Sequence, residues 1–289
     1  MIVSFHPCYS GDRYINTGGR TLTEDDLAAI KNSSMVILPQ ACRRDLFQAA
    51  RKYAGAVFPD LRTRFDYPGK TGQIRLFRET GTPHPRSFVY PDAAAFRQDP
   101  ANPIVSGGIS FPLVFKFDWS DEGRGVFRAD DRKTLERLLL QAEQAETTGQ
   151  KGFVIQEYIE TRGQVLRVCV INTAVIAYWK KRLDPDEFAV NLAGNAFIDR
   201  TSHPKLRRRG VAAVQTFCRR TGINLAGFDL LFAGLEPDSA PLLLEINYYF
   251  GRRGLGGSEQ YYHLLNREID KWVNDHRDHH KRPTRPGAE

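Results

Sequence analysis

The chain has 289 residues, 41% of them hydrophobic, and its 41 Lys and Arg against 34 Asp and Glu give a formal net charge of +7. That length allows about two domains of roughly 100–200 residues with a sizeable core. The composition excludes a mostly disordered chain, a collagen-like chain and a small disulfide-stapled scaffold.

Met1 to Phe5 lacks the basic start and long apolar stretch of a signal peptide. The apolar segment Val168 to Trp179 contains Asn172 and Thr173 and is too short to span a bilayer. A cytoplasmic protein with no membrane partner is expected. Cys8, Cys42, Cys169 and Cys218 stand apart with no C-x-x-C pair, which argues for reduced thiols rather than structural zinc.

In the first third, an apolar Ile2–Phe5, a helical Glu24–Lys31, a short buried strand Met35–Leu38, a helix Arg43–Ala54 and a strand Ala56–Phe58 alternate. Such alternation with short strands predicts a small parallel sheet. Thr21 and Thr23 sit just before Glu24, where a helix takes a capping hydroxyl. Pro and Gly between Thr80 and Pro85 end a helix and start an extended segment, placing the first domain boundary near residue 84.

In the middle third, strands Leu113–Phe117 and Val126–Arg128 enclose a loop from Asp118 to Gly125. A helix from about Asp130 to Glu146 and a strand Gly152–Tyr158 follow. Val165–Ile171 and Ala174–Trp179 flank Asn172-Thr173, a tight hairpin turn. His203–Thr221 is an amphipathic helix with Leu206, Val211, Val214 and Phe217 on its apolar side. Leu225–Phe232 and Leu242–Asn247 are strands, Ser258–Trp272 is a closing helix, and residues 274–289 are expected to form a mobile basic tail.

Gly69-Lys70-Thr71 copies the end of a P-loop, but Arg64 stands where that motif needs its first glycine. Gly254 to Gly257 does not follow the dinucleotide-binding spacing, and there is no G-x-S-x-G or H-E-x-x-H. His276, His279 and His280 read as a solvated basic run rather than a metal site.

The strongest constellation lies in the last two strands, where carboxylates interrupt apolar runs at Asp229 and Glu245. Glu245 and Asn247 are two apart, so one strand turns both to the same face. A charge in a buried strand is costly unless paired or bound to a cation. Asp229, Glu245 and Asn247 offer hard oxygen ligands with room for water and phosphate, as Mg²⁺ requires. A salt bridge to a buried arginine is the alternative use of such an acid. Lys116 lies alone in the apolar strand Leu113–Phe117, just before Gly123 and Gly125. A strand lysine beside a glycine loop can hold phosphates, although an edge lysine next to a hairpin looks the same. Phe153 to Glu160 mixes polar and apolar groups and can present backbone to a base, or simply leave the core.

Taken in order, these pieces resemble the ATP-grasp ligases of the RimK-like and glutathione-synthetase-like branch. The resemblance runs from about Gly69 to Trp272: the helix opened by Gly69-Lys70 and closed by Gly81 to Pro85, then Pro112 to Lys116, Gln156 to Ile159, Leu166 to Val170, Asn191-Leu192, Ala226 to Asp229 and Leu244 to Asn247. It implies an α/β (α+β) ATP-grasp fold: a pre-ATP-grasp parallel domain at 1–84, a central lobe or lid at 85–158, and a C-terminal lobe with the metal site at 159–273. It implies an ATP- and Mg²⁺-dependent carboxylate–amine ligase working through an acyl-phosphate, with Mn²⁺ as a substitute metal. Lys70 and Lys116 would contact phosphates, and Gln156, Glu157, Tyr158 and Ile159 would line the adenine pocket. Asp229, Glu245 and Asn247 would hold the metal. Asn191 and Arg167 would lie beside the triphosphate, with Lys180 or Arg182 adding neutralising charge.

Three departures stand out. Val165 stands where the family usually has an acid two residues before the equivalent of Arg167, so the resemblance would pass ribose binding to Glu160. The glycine loop has only Gly123 and Gly125, and the turn after Asn247 is bulky and cationic, from Tyr248 to Gly254. Arg252, Arg253, Arg182 and Lys181 point to an anionic small-molecule or peptide substrate, or to a solvated charged surface. A homo-oligomer is compatible with the sequence. An ATP-binding scaffold that has lost activity and a nucleic-acid-binding protein are the alternative functions, the second without a recognised reader motif. Lys205, Arg207, Arg208, Arg209, Arg219 and Arg220, with no acid among them, place most of the excess charge on one helix, away from these motifs.

Overall fold

The computed structural model describes residues 1–119, 125–183, 188 and 196–281, the side chains of 278–281 excepted. The chain opens with β1 (Ile2–Ser4), β2 (Arg13–Tyr14), α1 (Glu24–Lys31), β3 (Met35–Ile37), α2 (Arg44–Tyr53) and β4 (Ala56–Phe58). The strands pair in parallel in the order β2-β1-β3-β4, as the strand–helix alternation predicts. α1 starts at a reciprocal cap: the Asp26 N–H donates to the Thr23 hydroxyl, and the Thr23 N–H donates to the Asp26 carboxylate. The two-residue, exposed β2 carries no periodic signal and was not expected.

Next come α3 (Arg62–Asp66), α4 (Gly69–Glu79), β5 (Ser87–Tyr90), α5 (Ala93–Gln98), β6 (Leu113–Phe117), β7 (Val126–Ala129), α6 (Arg132–Glu146) and β8 (Phe153–Glu157). The second sheet is antiparallel, in the order β5-β8-β6-β7. Strand alternation divides its faces. Leu113, Phe115 and Phe117 join Phe153, Leu135 and Leu139 in a core under α5 and α6, with the Phe115 and Phe153 rings stacked at 4.7 Å. Val114 and Lys116 therefore project from the opposite face.

The remainder comprises β9 (Gln164–Ile171), β10 (Ala174–Arg182), β11 (Ala196–Asp199), α7 (Pro204–Thr221), β12 (Leu225–Phe232), β13 (Pro241–Asn247), a 3₁₀ turn at Arg253–Leu255 and α8 (Ser258–Lys281). The third sheet runs β11-β10-β9-β12-β13 with antiparallel pairing throughout. On one face Leu166, Val168, Phe228 and Leu230 pack against Leu206, Val214 and Phe217 of α7 and against Ile74 and Phe77 of α4. Gly210 lets α7 approach closely, because a Cβ there would run into the Leu166 side chain. On the other face Cys169, Ile171 and Tyr178 meet Tyr261, Leu265 and Ile269 of α8, and this core continues into Ile2, Met35 and Phe58 of the first sheet.

Two local features differ from the simple pattern. β13 is bulged: Leu230 pairs with Leu243 and Asp229 with Glu245, so Leu244 is an extra residue. The bulge lets Leu243 and Ile246 both enter the α7-side core while Glu245 turns to the other face. The second is a correction. The closing helix does not stop near Trp272 but continues to Lys281. One turn past Trp272, His276 stacks on its ring at 4.0 Å and donates from Nδ1 to its carbonyl at 2.8 Å, which carries the helix through residues read as tail. Residues 282–289 of that segment lie outside the described residues.

Candidate active site

The face of the third sheet opposite α7 carries a buried charge cluster. Arg167 donates from Nε and from its terminal guanidinium nitrogen to the two Asp229 oxygens at 2.7 and 2.8 Å. Lys180 Nζ adds a bond to Asp229 at 2.9 Å, and Asn247 Nδ2 approaches it at 3.4 Å. Register explains the grouping: Asp229 lies opposite Arg167 on one side and Glu245 on the other. Burial alone would raise the Asp229 pKa, but Arg167 and Lys180 hold its carboxyl well below the usual range. The salt bridge to a buried arginine, the alternative use of this acid, is therefore what the structure contains. With both oxygens accepting from cations, Asp229 is not disposed as the metal ligand expected of it. Arg167 and Lys180, expected beside phosphates, are its partners.

Lys116 enters from the second sheet. It is 9% exposed. Burial pulls its pKa down to about 8, against the pull of Glu245 and Asp229 and with the help of the neighbouring Lys70. Lys116 is thus within electrostatic reach of the acid pair of one sheet and of Lys70 at the start of α4. The turn into α4 requires Gly69: its φ is +69°, and a Cβ would strike the Asp118 carboxylate. Asp118 Oδ1 accepts from the Thr71 N–H at 2.7 Å, capping α4 from 47 residues away. A helix, α3, precedes this Gly-Lys-Thr sequence, consistent with rejecting a P-loop.

The segment expected to face adenine is held differently by each side chain. Gln156 is buried and donates to the Ser87 hydroxyl at 2.8 Å. The Glu157 carboxylate accepts from the Arg86 N–H at 2.6 Å. Tyr158 donates to Glu160 at 2.8 Å and carries the Arg128 guanidinium 4.7 Å from its ring. Glu160 also accepts from the Arg162 N–H, and these bonds to Tyr158 and Arg162 lower its pKa. Ile159 is half-buried. Arg182 joins this segment rather than the Asp229 cluster, its charge acting on Tyr158 and Glu160. Lys181 pairs with Asp199 at 2.5 Å and so is committed within the sheet. Asn191 and the loop at 120–124 lie outside the described residues.

The bulky loop after β13 is moored to the first sheet's unit. Gln40 donates to the Tyr248 carbonyl at 3.2 Å and accepts from the Tyr261 hydroxyl at 2.8 Å. Arg252 stacks over Tyr262 and Tyr261, 4.4 and 5.1 Å from the ring centres. Nearby, His6 Nδ1 accepts from the Cys8 N–H; burial, aided by Arg252, pulls the His6 pKa down from 6.5 to about 4. The native state therefore favours neutral His6. Its contribution is fully present above pH 6.5 and lost as pH falls towards 4. Wild-type protein should lose ~3 kcal/mol of unfolding free energy over that window beyond any loss in His6→Asn. Urea titrations between pH 7 and 4 measure the difference; parallel curves would remove His6 as its source.

Residues 92–264 match the RimK-like ATP-grasp domain. The chain belongs to the RimK-like ATP-grasp family. A probable alpha-L-glutamate ligase 1 from Hahella chejuensis is 30% identical over 56% of this chain and 50% of its own length. A probable alpha-L-glutamate ligase from Saccharophagus degradans is 29% identical over 64% and 57%. The chain thus spans little more than half the length of these curated relatives. The ATP-grasp fold recurs in a RimK domain protein from Sphaerobacter thermophilus, with a TM-score of 0.57 and 13% identity over 92% of this chain and 98% of that one. It recurs in a D-alanine–D-alanine ligase from Bacillus anthracis, with a TM-score of 0.60 and 12% identity over 91% and 85%.

A RimK-like ATP-grasp site calls for a divalent cation as well as nucleotide. Glu245 and Asn247 fit one. They share a face, both offer hard oxygen, and Asn247 gives its nitrogen to Asp229, leaving the amide oxygen for a cation. Asp229, held by Arg167 and Lys180, does not fit as a third ligand. Among the described residues no group of three or more His, Cys, Asp or Glu is placed to hold a metal, and Mg²⁺ needs only one or two carboxylates when phosphates and water complete its shell. None of the described helices is long and apolar enough to cross a membrane. All four cysteines are unpaired thiols.

Two contributors escaped the sequence reading. Asp118 was read as a loop residue, and its cap on α4 has no local signal. Gln73 was read as part of a helix. Its amide donates to the Ile246 carbonyl at 2.9 Å and accepts from the Ile246 N–H at 2.8 Å. Its place one helical turn after Lys70 was the available clue.

Proposed function

We propose that this chain is an ATP- and Mg²⁺-dependent carboxylate–amine ligase that forms an amide through an acyl-phosphate. The observation that carries the reading is Lys116, a buried strand lysine on which the charges of Glu245, Asp229 and Lys70 all act. A cation placed there meets phosphate charge with little reorganisation.

A substrate carboxylate attacks the γ-phosphorus of ATP, giving the acyl-phosphate and ADP, and an amine then displaces phosphate. This chemistry asks the protein for position and charge more than for covalent participation. Lys70 and Lys116 hold phosphate oxygens, while Glu245 and Asn247 hold the metal. The metal, when bound, supplies further charge neutralisation to those oxygens. Arg167 and Lys180 fix Asp229, and through it the Asn247 amide. Arg182 and Glu160, beside Tyr158, serve the sugar and phosphate end of the nucleotide. No nucleophilic side chain is needed, and burial pushes the thiols of Cys42 and Cys218 up to about 12 and that of Cys169 to about 11. The relatives' names support glutamate as one reactant. The Arg252 guanidinium, stacked on two tyrosines, supplies a cation for its carboxylate.

Incubation with Mg-ATP, pooled carboxylates and hydroxylamine should yield trapped hydroxamates, detected by mass, with carboxylate-dependent ADP release. Nucleotide binding without either product would sink the ligase reading in favour of an ATP-binding scaffold.

A further inference from the structure

We propose that Gln73 is a positioning residue that locks the Lys70 helix to the strand bearing Glu245 and Asn247, and so sets the metal affinity of the nucleotide complex. The inference rests on the ligase reading above, since it concerns the same site.

β13 is the last strand of its sheet. On the side away from β12, the Ile246 N–H and carbonyl are both taken by the Gln73 amide, at 2.8 and 2.9 Å. The carboxamide thus offers one donor and one acceptor to one residue, as a neighbouring strand would. Ile246 is the residue between Glu245 and Asn247. Fixing its peptide groups on both sides fixes the orientation of the two flanking side chains, which share the opposite face. A second tie lies three residues earlier, where the Leu243 N–H donates to the Pro83 carbonyl at 2.8 Å.

The other end of the linkage is Lys70. Residues three apart on a helix share a face, so Lys70 and Gln73 project from the same side of the first turns of α4. Lys70 and Glu245 both act on Lys116, which places them in one neighbourhood. A two-bond clamp between them fixes how far the phosphate-side cation stands from the metal-side carboxylate. Packing does not require an amide at Gln73: Ile74 and Phe77 supply the apolar contacts of α4 to this sheet.

Gln73→Met keeps length and removes both bonds. Three measurements test the role: Mn²⁺ affinity of the complex with a non-hydrolysable ATP analogue, by electron paramagnetic resonance; analogue affinity in EDTA; and hydrogen exchange of the Ile246 amide. The variant should bind Mn²⁺ about tenfold more weakly, exchange the Ile246 amide faster and keep wild-type affinity for the analogue in EDTA. Faster exchange with unchanged Mn²⁺ affinity would overturn the positioning role and leave the ligase reading standing. A wild-type protein that binds no Mn²⁺ with the analogue would overturn both. Gln73→Ala removes the same bonds by truncation; if neither variant folds, Gln73 is structural and the proposal falls.

Discussion

Glu245→Gln is expected to lower metal-dependent ATP turnover by about 10²–10³-fold while leaving the fold intact. The substitution keeps the shape of the side chain and removes its charge. Glu245 is half-buried and is the carboxylate of this face that is not engaged as Asp229 is, by Arg167 and Lys180. Losing its charge removes a hard ligand from the metal and a counter-charge from Lys116, both of which act on the phosphate end of the nucleotide. Stability should hardly move, because an amide here faces the site rather than the apolar core. ADP release at saturating ATP, measured beside urea unfolding, reads both quantities. Near-normal turnover would remove Glu245 from the metal set.

Asp229→Asn should show the opposite signature, a loss of about 3–5 kcal/mol of stability. Two cations whose side chains are 10% and 8% exposed share this one carboxylate. Neutralising it leaves both in a poorly solvated environment with no ionised partner. Arg167→Met should cost less, since Asp229 and Lys180 remain as a neutral pair. The pH dependence has a definite sign. Arg167 and Lys180 depress the Asp229 pKa, so its stabilisation is present above the ordinary value near 3.8 and lost as pH falls through the folded value. Urea unfolding near pH 7 decides the matter: a change below ~1 kcal/mol in Asp229→Asn would mean that the cluster is not a structural unit.

The two carboxylates thus divide labour in a way the sequence did not resolve. Spacing placed Glu245 and Asn247 on one face, and an acid in an apolar strand marked Asp229 as special. Whether that acid meets an arginine or a cation depends on which strand lies beside β12, and such pairings between distant segments leave no local trace. The helix and strand boundaries were legible where periodicity was strong, as in Glu24–Lys31, Leu113–Phe117 and Leu225–Phe232. α3, a five-residue helix, was missed because it is too short to show a helical period. The Gln156 side chain bonds Ser87 within the sheet, which leaves only the backbone of that strand to present to a base. Register decides that direction, and register is a property of two strands.

The covering of β13 by Gln73 and Pro83 also bears on how copies of this protein meet. The outermost strand of a sheet is a template on which another chain can add its own backbone, the usual route to runaway association. Here two of the outward positions of that strand are already filled from within the same chain, at Leu243 and Ile246. A second molecule cannot extend the sheet at β13 without first displacing α4 and the segment after it. The same contacts that tie the Lys70 helix to the carboxylate strand therefore keep this border of the molecule solitary.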